Sequence, residues 1–164
     1  MKPGSEIFVY CEDRVVWIRV EGNGSSANSR SMRDFAQEMV RRGSREFILE
    51  LSKCPAMDST FMGTLVGMSL SLGKPGEGRL SLVNLNQRNL EAITSLGLDQ
   101  LFNVRVSTET KGGQALANPV EEDRTARART ILEAHEALIK TFPENLSKFK
   151  DVVKYLSEDL GLSK

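Results

Sequence analysis

The chain reads as an α/β fold: a mixed, mostly parallel sheet with helices in the order β-β-α-β-α-β-α-β, plus a C-terminal helical extension. Three observations predict this. The chain opens with two β-branched and aromatic runs joined by a short polar turn. Near-continuous apolar runs then alternate with stretches whose apolar residues recur at helical spacing. Beyond Gly112-Gly113 and Pro119 the strand signals stop, and two amphipathic stripes follow.

Ile7-Phe8-Val9-Tyr10-Cys11 is the first strand, Glu12-Asp13 a turn, and Arg14 to Val20 the second strand, so the two form a hairpin. Glu21 to Asn28 is a polar loop. A helix is expected from about Ser29 to Arg42, with Met32, Phe35, Ala36, Met39 and Val40 on its buried face and Gly43 as its stop. Arg45 to Leu51 is a third strand, apolar enough at its centre to be covered on both faces. After Pro55 a helix runs to about Leu72. Phe61, Leu65, Met68 and Leu72 form its apolar stripe, and Thr60, Gly63, Thr64, Gly67 and Ser71 a stripe of small residues. Each helical glycine costs roughly 1 kcal/mol relative to alanine. Something must therefore pack closely on that stripe, either the sheet, the simpler answer, or a partner.

Gly73 to Gly78 is a turn. Its Gly-Lys pair lacks the spacing of a phosphate loop. Leu80 to Asn84 is a strand, and Asn86 to Leu96 a helix with Leu90, Ile93 and Leu96 inward, ended by Gly97. Val104-Arg105-Val106 is the last strand. The βαβ repeats imply parallel strands with right-handed crossovers. The chain divides into a sheet domain (1–108), a linker (109–119) and a helical extension (120–164). In the extension, Ala128, Ile131, His135, Leu138 and Phe142 share one face of a helix from about Val120 to Thr141. Leu146, Phe149, Val152, Val153, Leu156 and Leu160 share one face of a helix from Glu144 to Leu160. The first is expected to cover the sheet and the second to make an intermolecular contact, leaving the hairpin dispensable for folding of the core. A homodimer is left open.

At 164 residues the chain suits one domain with an appendage. It carries 22 basic and 22 acidic residues, which argues against a broad footprint for nucleic acid or anionic membrane. No apolar run approaches the roughly 20 residues of a membrane span, and the start lacks the apolar stretch of a secretory signal, so the cytoplasm is the expected compartment. Cys11 and Cys54 have no metal-ligand spacing and read as free buried thiols. His135 is the only histidine, which excludes a His-based metal cluster, and it reads as a packed or partly exposed side chain, not a ligand. No cofactor is expected.

Asp58-Ser59-Thr60-Phe61-Met62-Gly63 is the candidate site. It follows a strand and opens a helix, where Asp, Ser and Thr oxygens accept free backbone N–H groups. The same N–H groups and the helix dipole favour a negative charge. On these residues alone plain capping outweighs regulation. An enzyme would need a base beside Ser59, and the sequence shows none, nor a Gly-x-Ser-x-Gly elbow.

Beyond its element order, Met57-Asp58-Ser59-Thr60 resembles the Asp-Ser-Ser/Thr signature of STAS domains. Gly63 fits the small residue within the following helix, Ile93-Thr94-Ser95-Leu96-Gly97-Leu98 the helix ending in Gly-Leu, and Leu101-Phe102 the step before the last strand. The resemblance spans roughly residues 6–108. It is to the bacterial anti-sigma-factor antagonists, and it implies a non-enzymatic protein-binding module that regulates transcription by partner switching. By the same resemblance Ser59 is the phosphoacceptor, and Asp58, Ser59, Thr60, Phe61, Met62 and Gly63 form the partner-binding loop. An anti-sigma factor acting as serine kinase, and a serine phosphatase, are the implied partners. Phe61-Met62 departs from the usual small-apolar pair. An exposed apolar helix start would favour the alternative, a constitutive STAS subunit of a lipid-transport ABC system or a signalling scaffold.

Overall fold

A computed structural model describes residues 5–73, 76–109, 111–116 and 123–162. Lys74-Pro75, Pro119 and the expected helix start at Val120 lie outside them. Strands β1 (Ser5–Glu12) and β2 (Val15–Gly22) pair antiparallel. Asp13 and Arg14 between them have φ of 53° and 68°, the paired left-handed geometry of a two-residue hairpin turn that follows strand twist. Helix α1 spans Ser26–Arg41 and starts earlier than the apolar spacing predicts. Ser25 and Asn28 make a reciprocal capping box that draws part of the polar loop into the helix.

Strand β3 (Glu46–Lys53), helix α2 (Ser59–Ser71), strand β4 (Arg79–Val83), helix α3 (Gln87–Ser95) and strand β5 (Asn103–Arg105) follow. The sheet order is β5-β4-β3-β2-β1-β6, with β2 to β5 parallel. From β2 to β5 the sheet grows in one direction through three helical crossovers. Uniform right-handedness then places α1, α2 and α3 on one face. The alternation in β2 agrees: Val16, Ile18 and Val20 are buried, while Trp17 and Arg19 point the other way and are half-buried. Phe47, Leu49, Leu51, Leu80 and Leu82 join them under the helices, and the expected α2 stripe of Phe61, Leu65, Met68 and Leu72 covers them.

Strand β6 (Gln114–Ala115) was not predicted, since it falls inside the expected linker. It pairs with β1 at the edge opposite β5. Residues 106–109 and 111–113 therefore lie across the helix-free face of the sheet. They are strapped to it. Asn84 exchanges two hydrogen bonds with the Ser107 backbone (2.9 and 3.0 Å), and Arg19 Nη1 donates to the Lys111 carbonyl at 2.9 Å. The Lys111 ammonium lies 5.5 Å from the Trp17 ring centroid and 5.7 Å from that of Tyr10. The described part of the expected linker, residues 109 and 111–116, is thus packed as a strap.

Helices α4 (Arg124–Thr141) and α5 (Leu146–Asp159) form the extension, joined by a 3-10 turn at Pro143–Asn145. Contrary to the expectation that the first covers the sheet, α4 packs chiefly on α2, with a smaller contact to α1, as a third layer. The small-residue stripe of α2 explains this. A Cβ on Gly63 would lie 2.2 Å from the Ala134 carbonyl oxygen and 2.8 Å from Ala134 Cβ. Only glycine lets the two backbones approach so closely. The partner of Gly63 is therefore α4, not the sheet, while Gly67 faces open space. Leu138 reaches the main core, and Ala128, Leu132 and Leu156 make a small core between α4 and α5. The turn is pinned to the end of α3: buried Asn145 Nδ2 donates to the Leu96 and Leu138 carbonyls, both at 3.0 Å. Leu146, Val152 and Tyr155 of α5 remain exposed.

Cys54 is buried, but Cys11 is exposed, which corrects the reading of both as buried thiols. Desolvation pushes the Cys11 thiol above its ordinary range, partly opposed by Arg42. A maleimide should label Cys11 in the folded chain, with a pH midpoint above the ~8.5 of a free thiol, and reach Cys54 only on unfolding. Two equally fast thiols in native buffer would contradict this.

Candidate functional site

Two helix starts meet at the site. Gly24 N donates to the Ala56 carbonyl at 3.0 Å, and Asp58 N to the Gly24 carbonyl at 2.9 Å, so the loops leaving β2 and β3 zip together. Gly24 also lies against the Phe61 ring, where a Cβ would come within 2.6 Å of ring carbons. Asp58 is the N-cap of α2. Its Oδ1 accepts from Phe61 N at 2.8 Å, and its Oδ2 accepts from Ser26 N at 3.3 Å, tying the starts of α2 and α1. Capping thus falls to Asp58, which leaves the Ser59 hydroxyl free for another partner.

That partner is His135. Ser59 Oγ lies 2.8 Å from His135 Nε2, and His135 Nδ1 lies 2.7 Å from the Ile131 carbonyl oxygen. A carbonyl only accepts, so Nδ1 carries a proton. In the neutral ring Nε2 is then a lone pair facing the Ser59 hydroxyl, which donates to it. The imidazole is buried and meets the Phe149 ring edge-on at 4.9 Å. Elsewhere along α4, Arg127 Nη2 donates to Ser26 Oγ at 2.9 Å, and Glu133 pairs with Arg33 at 2.7 Å, both tying α4 to α1.

The six residues singled out from the sequence are contiguous but differ in access. Asp58 is exposed and Ser59 half-buried, while Thr60, Phe61, Met62 and Gly63 are buried. Phe61 is fully covered and Met62 is 5% exposed, so the expected exposed apolar helix start does not exist. Sequence reasoning missed His135 as the partner of Ser59 and Arg127 as the partner of Ser26. One signal was there: a lone histidine in an otherwise apolar stripe must find a buried hydrogen-bond partner. A serine–histidine pair therefore does exist, with no acid behind the imidazole. Among the described residues no group of three or more His, Cys, Asp or Glu is placed to hold a metal, and no helix is long and apolar enough to cross a membrane.

A family described as "Mlab, STAS domain" matches residues 8–105, more than half of the chain. The chain belongs to the STAS domain family. Its match ends at the close of β5, so the strap, β6 and the α4–α5 hairpin lie beyond it. No curated protein matches the chain. Among solved structures, the STAS domain is similar to the anti-sigma factor antagonist SpoIIAA in its unphosphorylated form, with 21% identity and a TM-score of 0.57 over 63% of this chain and 89% of that one. The Bacillus cell fate determinant SpoIIAA in its phosphorylated form gives 21% identity and a TM-score of 0.53, over 63% and 92%. An anti-sigma factor antagonist from Mycobacterium paratuberculosis gives 19% and 0.56, over 63% and 87%. At these identities the likeness is one of fold: a STAS sheet and helices carrying a C-terminal helical extension.

Proposed function

We propose that this STAS domain is an anti-sigma-factor antagonist-like binding module, working by partner switching in the cytoplasm, with Ser59 as phosphoacceptor. The observation that carries the reading is the position of Ser59, first residue of α2, directly after a cap that Asp58 alone supplies. A phosphate there adds about −1.5 to −2 charge beside the Asp58 carboxylate. Helix N–H groups offset the charge within the domain, whereas an interface formed on this loop meets a dense negative centre. Like charges ~4 Å apart repel by roughly 4 kcal/mol near a protein surface, and each 1.4 kcal/mol is about tenfold in affinity. That the relative SpoIIAA is known in both phosphorylated and unphosphorylated forms supports the assignment. The partners by this reading are an anti-sigma factor that is also the serine kinase, and a serine phosphatase.

The test is incubation with candidate anti-sigma kinases and ATP, with the phosphate mapped by mass spectrometry. Ser59→Ala should abolish labelling while the chain stays folded. Because the substitution strands His135 Nε2, it should cost about 1–3 kcal/mol in denaturant titration, more than the loss of an ordinary surface hydroxyl. Label that persists at Thr60 or elsewhere sinks the assignment. Ser59→Asp should weaken kinase binding at least tenfold by calorimetry.

A second reading, a constitutive STAS subunit without phosphate exchange, is favoured by one observation: the Ser59 hydroxyl is already bonded to His135. Unchanged affinity of Ser59→Asp for a copurifying complex would select it.

A further inference from the structure

The hairpin lies beyond the STAS match, yet it covers the very residues by which the domain would meet a partner. Three contacts on one side of α4 do this. Ala134 seats its backbone on Gly63, His135 takes the Ser59 hydroxyl, and Arg127 reaches Ser26 at the start of α1. Thr60, Met62 and Gly63 are buried in consequence or in part by the layer beneath, and of the six loop residues Asp58 alone is exposed.

We propose that the α4–α5 hairpin is an intramolecular occupant of the Ser59 face, that a partner reading this face must displace α4, and that His135 couples the state of the Ser59 hydroxyl to that displacement. Whether the displaced face serves a kinase rests on the reading of Ser59 as phosphoacceptor; the occupancy itself does not.

The coupling follows from the chemistry of the contact. With the imidazole neutral, the bond at 2.8 Å uses the Ser59 proton, and a phosphoryl group on Oγ replaces that proton and adds three oxygens where the imidazole sits. The seated hairpin and the modified serine therefore compete for one place. A partner helix faces the same competition. It fits the face if it carries a small residue over Gly63 and a hydrogen-bonding group over Ser59, as α4 does with Ala134 and His135. Apparent affinity for such a partner is its intrinsic affinity multiplied by the fraction of chains in which the hairpin is lifted. Asn145 on Leu96 and Lys148 Nζ on the Ser95 carbonyl (2.6 Å) anchor the turn at the far end of α3, away from Ser59, whereas the Arg33–Glu133 pair and the Leu138 contact with the main core are given up with the Ser59 contact. α4 can thus lift at Ser59 while its turn stays attached.

The experiment needs no kinase and uses the full chain. In a Cys11→Ser background, Ser59→Cys supplies a reporter thiol, and buried Cys54 is the internal reference. N-ethylmaleimide labelling should be slow, and at least tenfold faster once a wedge is added. Two wedges approach from opposite sides: Gly63→Ala on α2, which favours helix intrinsically but drives a methyl into the Ala134 backbone, and Ala134→Arg on α4, which leaves the α2 face untouched. Amide exchange should rise in α4 and stay unchanged in β2, β3 and β4. Two outcomes overturn the proposal: a reporter thiol already as fast in the parent as in both wedges, or sheet amides that lose protection together with α4, which would make the hairpin an inseparable part of the core. Separately, Ser59→Ala and His135→Ala should raise α4 exchange by similar factors, and the pair together by no more than one of them; additive effects would remove His135 from the coupling. Failure of kinase labelling at Ser59 leaves these results standing and overturns only the phosphoacceptor reading.

Discussion

Phe61→Ala should lower the stability of the chain by about 3–5 kcal/mol, the range for deleting a buried aromatic side chain. Phe61 has no exposed surface and sits in the main core with Leu49, Leu65 and Leu82. Its ring also fills the space above Gly24, so its removal opens a cavity at the seam where the β2 and β3 loops zip together. That seam holds Asp58 in its capping position through Asp58 N and the Gly24 carbonyl. The variant should therefore lose partner binding as a consequence of lost order, with the denaturation midpoint moving first. Phe61→Leu, which keeps most of the volume, should recover much of the stability. A Phe61→Ala chain that melts like the parent, yet fails to bind, would instead make Phe61 a contact residue exposed in some other state.

The contrast between Phe61 and Ser59 shows where the sequence is legible. Periodicity placed Phe61, Leu65, Met68 and Leu72 on one stripe, and the structure buries all four on the sheet. The parallel pairing of β2 to β5 followed from repeated βαβ units, and the mixed character of the sheet from the opening hairpin. Helix starts were less legible where polar side chains set them. The Ser25–Asn28 box extends α1 by several residues into what composition marks as loop. The strap was invisible for a different reason. Nothing local in residues 106–116 announces that β5 and β6 lie on opposite edges, and only the completed sheet order forces the crossing. The site was half legible. Asp58 and Ser59 lie side by side in the chain, but His135 is separated from Ser59 by 76 positions, and no spacing rule connects them. Gly63 carried the relevant hint, since a costly helical glycine asks for a close neighbour. The sheet was the simpler answer because the α2 apolar stripe already satisfies it; that same fact leaves the glycine face for α4.

Asn145→Asp should be the most damaging single change in the hairpin. Asn145 is fully buried, and its amide donates to two carbonyls, those of Leu96 and Leu138. Its own Oδ1 has no protein partner among the described residues. A carboxylate there has no donor to offer, so it faces both carbonyl oxygens while buried and charged. Breaking a buried polar pairing in this way costs about 3–5 kcal/mol, against about 1–3 for Asn145→Ala, which leaves the carbonyls unpaired without adding charge. The deficit should shrink as pH falls toward the ordinary carboxylate range, because protonation restores one donor. The loss also has a ceiling. If α4 and α5 lift from α2 and α3 as a unit, the carboxylate becomes solvated, and the global loss cannot exceed the free energy of hairpin docking. Denaturant titration of Asn145→Asp alongside amide exchange in α4 measures both. A loss near 4 kcal/mol with the whole chain melting together means that hairpin and sheet form one cooperative unit. A smaller loss, with α4 exchanging early and β2 to β4 unaffected, gives the docking free energy directly, and with it an upper bound on the energy a partner must supply to reach Ser59.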